Sequence, residues 1–111
     1  MESILTSVKK ALNMAEDYTY FDPDIIMHIN TVFFTLKQLG VGPEEGFFIE
    51  DKEMLWSDYI EDQVECSAVK TYMYAKVRLV FDPPSNSAHI KCLEQVVSEF
   101  EWRLYHEAEL K

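Results

Sequence analysis

The chain has little glycine, little cysteine and little positive charge, and each shortage excludes something. Three glycines in 111 residues cannot build a loop whose backbone N–H groups cradle a phosphate, and no GxSxG or HExxH string is present. Cys66 and Cys92 are far apart, with no CxxC and no paired histidines, so a zinc site has no support and buried free thiols are expected. Ten basic residues against twenty acidic ones leave a net charge of -10. That balance works against wrapping the outside of nucleic acid, where cationic side chains must displace counterions. No apolar run approaches the roughly 20 residues of a membrane span. The amphipathic start carries no charged-then-apolar signal pattern, so the expectation is a protein that folds in a cytoplasm, with no membrane partner.

Candidate chemistry is equally sparse. His28, His89 and His106 are isolated and read as ordinary helix-face or surface residues. Carboxylates crowd one stretch: Glu44, Glu45, Glu50, Asp51, Glu53, Asp58, Glu61, Asp62 and Glu65, opposed only by Lys52. The stretch lacks the alternating Asp/Asn and glycine of an EF-hand loop and reads as a solvated acidic surface. The expectation is therefore no enzyme, no catalytic residue, no metal and no cofactor.

What the chain does have is apolar material, 48% of its residues with 14% aromatic, which is too much for a disordered protein. Its length suits one domain over residues 1–111, able to bury roughly 65% of the surface the unfolded chain exposes. Ile4, Leu5, Val8 and Leu12 recur at helical spacing within residues 3–14, where Lys9 and Lys10 sit near the end and suit the helix dipole. Asp22-Pro23 reads as an N-cap followed by a proline at the first helical position, opening a second helix that runs to Leu39 and stops at Gly40. Its stripe is Ile25, Ile29, Val32, Leu36 and Leu39, widened by Ile26 and Phe33, while Met27 and Phe34 project from the opposite side. A helix apolar on two faces is central in the fold or shared with a partner.

After Gly42-Pro43, residues 47–49 and 54–56 can form the two arms of a small hairpin turning over 50–53, and residues 57–62 a helical turn. A third helix over about 65–81 is expected to bury Cys66, Val69, Met73, Val77 and Val80 before Asp82-Pro83-Pro84 ends it. Ser87 is the expected N-cap of a fourth helix to about residue 107, with Ile90, Leu93, Val97, Phe100 and Leu104 in one stripe and Trp102 nearly opposite. An outward tryptophan is costly to leave in water and points to a contact made after folding, or else to the chain end or the hairpin folding over it. The fold class is mainly α: a four-helix domain with a small β-hairpin or irregular insertion between helices 2 and 3.

Several strings, in this order and spacing, resemble the small head-tail connector (adaptor or head-completion) proteins of tailed bacteriophages. They are Asp22-Pro23-Asp24-Ile25-Ile26 with His28-Ile29-Asn30, Leu39-Gly40-Val41-Gly42, and Trp56-Ser57-Asp58-Tyr59-Ile60. Val69-Lys70-Thr71-Tyr72, the run Val77-Arg78-Leu79-Val80-Phe81-Asp82-Pro83-Pro84, and Glu99-Phe100-Glu101-Trp102-Arg103-Leu104 follow. Cys66 and Cys92 match nothing in that pattern. The resemblance implies a structural ring of on the order of a dozen subunits closed by a heterologous contact. It also implies a place in the virion neck between the portal protein and a downstream neck or tail protein, after assembly in the bacterial host cytoplasm. DNA passes through the centre of such a ring without sequence-specific binding.

The candidate subunit or partner interface is Met27, Phe34, Lys70, Lys76, Arg78, Trp102 and Arg103. Lys70, Lys76 and Arg78 bring positive charge to the third helix and are expected to meet the acidic stretch of a neighbour head to tail. The alternative is an acidic binding module that inhibits a host or nucleic-acid-binding protein by imitating the charge of DNA.

Overall fold

The computed structural model describes residues 2–110, which form five helices: α1 (Ile4–Ala11), α2 (Asp22–Gln38), α3 (Trp56–Tyr59), α4 (Gln63–Phe81) and α5 (Ser87–Glu109). The Ser3 side chain accepts from the Thr6 N–H to start α1, and Ile4, Leu5, Val8 and Leu12 are all buried. α2 differs from expectation at its first turn. Phe21 is the N-cap and makes no side-chain bond, while Asp22 is already helical. The Asp22 carboxylate is drawn away to the Lys9 ammonium at 2.8 Å. At the other end the Val41 N–H bonds the Leu36 carbonyl and the Gly40 N–H bonds the Lys37 carbonyl. This is the paired C-terminal motif that requires the left-handed backbone of Gly40, at φ 88.

The expected hairpin does not form, and there is no strand among the described residues. Its two arms find other partners. Ile49, buried in the core, donates its N–H to Asn30 Oδ1 at 2.8 Å and accepts from Asn30 Nδ2 at 2.9 Å. One side-chain amide on α2 thus replaces a neighbouring strand. Residues 54–56 pair instead with the N-terminal segment, through Ile4 N–H to Met54 O, Trp56 N–H to Glu2 O and a single antiparallel bridge between Ser3 and Leu55. The insertion is irregular, and α3 supplies a helical turn at Trp56–Tyr59, overlapping the one expected over 57–62 but starting a residue earlier and ending sooner.

Around that insertion sits an aromatic cluster. The Phe33 ring lies 4.6 Å from Tyr59 and 5.1 Å from Phe47. Trp56 donates from Nε1 to Ser7 Oγ at 2.7 Å. Each large side chain buried here contributes about 1.5–3 kcal/mol.

α4 is the central helix, packing against both α2 and α5. It stays helical through the β-branched run to Phe81, and Asp82 follows as its C-cap. Val80 is exposed, contrary to expectation. At the overhanging end of α4 the packing side chain is Phe81, which meets Phe21 at 5.4 Å and His28 at 6.3 Å. Asn86, not Ser87, caps α5, accepting from the Ala88 and His89 N–H groups. Only Leu93 and Leu104 of α5 are fully buried, because this helix packs by one face against α4. For the same reason Cys92 is exposed where a buried thiol was expected, while Cys66 is buried. The result is a thin slab, 39 × 35 × 20 Å.

Candidate interaction surface

Lys9 shows how the first loop is held. Its ammonium is 2% exposed, donates to the carbonyls of Glu16 at 2.9 Å and Tyr18 at 2.7 Å, and pairs with Asp22. Two carbonyls accept from it and the Asp22 carboxylate stands beside it as an ion pair, so the charge is compensated rather than left in a low dielectric. This clasp fixes the turn that carries the exposed Tyr18 and Tyr20.

The acidic stretch divides into two kinds of carboxylate. Asp51 accepts from the Glu53 N–H, Asp58 from the Leu55 N–H, and Asp62 from the Val64 and Glu65 N–H groups as the N-cap of α4. These three are built into turns and caps. Glu44, Glu45, Glu50, Glu53 and Glu61 are exposed and Glu65 is half-buried. No group of His, Cys, Asp or Glu among the described residues is arranged to hold a metal ion.

The basic candidates on α4 are spread around the helix. At about 100° per residue, Lys76 and Arg78 diverge by about 200°. Lys70 pairs with Glu2 at 3.0 Å and lies over the Trp56 ring. Lys76 reaches Glu101 at 3.7 Å, and Arg78 is half-buried. Arg103 on α5 is exposed and pairs with Glu99 at 2.6 Å.

Between α4 and α5, the Tyr72 hydroxyl donates to Glu101 Oε2 at 2.6 Å. Burial, with the Glu101 bond and charge adding to it, pushes the Tyr72 phenol well above its ordinary range. Burial likewise raises Tyr59, with the Glu65 charge adding, and the Cys66 thiol.

Several large apolar side chains are exposed. Met27 and Phe34 stand out from α2 at 58% and 59% exposed, and Trp102 from α5 at 64%. The Trp102 ring lies against His106, with centroids 4.1 Å apart and planes tilted by 49°. Sequence reading missed Tyr105, Phe48 and Val64, which are also exposed. Tyr105 was legible, lying three residues after Trp102 and hence on the same face. Val64 lines a shallow groove between α4 and α5 with Ala68, Phe100 and Arg103. Exposed aromatics of this size, set on rigid helices, are the composition of a protein-binding surface.

Comparison with known proteins agrees. The family model described as "Phage connector protein" matches residues 4–111. No curated protein and no solved structure gives a significant match. No helix among the described residues is long and apolar enough to cross a membrane.

Proposed function

The chain belongs to the phage connector protein family, structural proteins that join the head and tail of the virion, and from that premise we propose that it is one subunit of a ring in the virion neck. The ring sits between the portal protein and the next neck or tail component, and the genome passes through its centre. The observation that carries this reading is the extent of the family match, 4–111. The outward faces of α2 and α5 support it, since a ring subunit needs two different contact surfaces to close by rotation. The net charge of -10 supports DNA passage: an acidic lining repels phosphates and keeps the genome from adhering in transit.

Assembly takes place in the host cytoplasm, with Met27, Phe34, Trp102 and Arg103 at contacts and the exposed members of the acidic stretch turned to solvent or the channel. Electron microscopy of the purified protein mixed with its cognate portal tests the proposal. A closed ring seated on the portal is expected. A chain that stays monomeric or dimeric and ignores the portal while binding a basic host protein would overturn it in favour of an acidic inhibitor.

A further inference from the structure

α2 and α5 both pack against α4 and run in the same direction. Phe21 and His28 of the α2 start lie against Phe81 at the end of α4, while Tyr72 of α4 meets Glu101 of α5. At the far end, a Cβ placed on Gly40 would stand 3.3 Å from the Ala108 Cβ, so the two helices finish together.

Each carries an exposed row on the side away from α4. On α2 it is Asp24, Met27, Thr31, Phe34 and Gln38, and on α5 it is Lys91, Gln95, Ser98, Trp102, Tyr105 and Glu109, all exposed. Both rows alternate steps of three and four residues, the spacing of a two-helix seam in which side chains interlock. Thr31, at the middle of the α2 row, does not oppose burial: its hydroxyl donates to the Met27 carbonyl at 3.0 Å, and Thr35 beside it donates to the Thr31 carbonyl. Contact with the His106 ring restrains the Trp102 ring, which lowers the entropy lost when a partner arrives.

We propose that these rows are the two halves of one contact, with α2 of one copy lying parallel to α5 of the next. The proposal rests on the ring reading and specifies how neighbours meet. In the parallel register Met27 faces Ser98, Thr31 faces Trp102, Phe34 faces Tyr105 and Gln38 faces Glu109. Large side chains meet small ones in two layers, and the two rings meet in a third.

Charge selects this direction over the reverse. Running parallel, Lys37 falls beside Glu109 and Asp24 falls one turn from Lys91. Running antiparallel, Lys37 falls beside Lys91 and Asp24 one turn from Glu109, so like charges meet at both ends. A rotation about an axis along the helices keeps neighbours parallel, so the same register can repeat until the ring closes. A contact of α2 with itself would leave the α5 row uncovered in every copy.

The test is disulfide trapping with the full chain on its cognate portal, in a Cys92→Ser background. Met27→Cys with Ser98→Cys places one thiol in each half of a facing layer, away from Gly40 and Ala108, where α2 and α5 of one chain meet. Under oxidation this double variant is expected to give a ladder of covalent dimers, trimers and higher species, and either substitution alone none. Rings visible by microscopy with no ladder would overturn the contact while leaving the ring reading intact. A covalent dimer from a single substitution would show a symmetric contact, and a ladder from Gln38→Cys with Lys91→Cys the reversed direction; either sinks the proposal. Absence of any ring with the unmodified chain would instead defeat the ring reading on which it rests.

Discussion

Asn30 and Ile49 exchange two hydrogen bonds, at 2.9 and 2.8 Å, between a side-chain amide on α2 and the backbone of the irregular segment. Both backbone polar groups of a buried residue are thereby satisfied by a single side chain. Asn30→Ala leaves them unpaired and is expected to lower stability by about 2–4 kcal/mol. Chemical denaturation measures the loss, and amide exchange localises it to the segment around Ile49. A variant as stable as the parent would show that the clamp holds nothing.

Lys9 is the second site where one side chain organises a loop. Lys9→Met keeps the buried stem and removes the charge, leaving Asp22 and two carbonyls without their donor. A loss of about 2–4 kcal/mol is expected, below the value for a fully buried pair because the Asp22 side chain keeps some solvent. Thermal melting at neutral pH reads it directly. A melting temperature unchanged by the substitution would mean that the clasp is dispensable.

Gly42 has φ 87, and a Cβ there would stand 2.6 Å from Tyr59 Cε1. Gly42→Ala therefore combines backbone strain with a ring clash in the core and should cost about 2–4 kcal/mol. Tyr59→Phe makes a contrast, because the buried Tyr59 hydroxyl has no hydrogen-bond partner among the described residues. Its removal forfeits no protein bond and should change stability by less than about 1 kcal/mol. Equal losses in both variants would contradict this picture of the contact.

Tyr59 and Tyr72 are both raised above the ordinary tyrosine value of 10.0, chiefly by burial. A phenol whose folded pKa exceeds its unfolded one contributes fully below the unfolded value. Above it the unfolded chain loses the proton first. Stability should therefore hold up to about pH 10 and then fall, at a slope approaching about 2.7 kcal/mol per pH unit when both phenols contribute. Denaturation midpoints between pH 8 and 11 test this, and Tyr72→Phe should shallow the slope. A flat profile through pH 11 would refute it.

Trp102 is exposed and lies against His106 of its own helix. Trp102→Ala should shift the isolated subunit's stability by no more than about 0.5 kcal/mol. Assembly should weaken by about 2 kcal/mol, or roughly 30-fold. Melting and sedimentation of the same preparation separate the two effects. Loss of folding without a separate assembly defect would place Trp102 in the core.

Where the physics is local, the sequence by itself determined the outcome. Helical spacing located α1, α2, α4 and α5, because the 3.6-residue period and the stops at Gly40 and Asp82 act within a few residues. The same period turned Met27, Phe34 and Trp102 outward, since an angle on a helix does not depend on what the helix later packs against. The tertiary structure decided what depends on distant partners. The arms of the expected hairpin had the composition for pairing, yet Asn30 holds one and the N-terminal segment holds the other, nineteen and about fifty residues away in sequence. Lys9 reads as a surface charge until the carbonyls of Glu16 and Tyr18 fold over it. Lys70, Lys76 and Arg78 are close in sequence but diverge around α4, where two of them find carboxylates from other segments. The seam shared by α2 and α5 is spelled out residue by residue in the chain, but only the placement of both helices beside α4 shows that they run the same way, which is what lets opposite charges, rather than like ones, meet between copies.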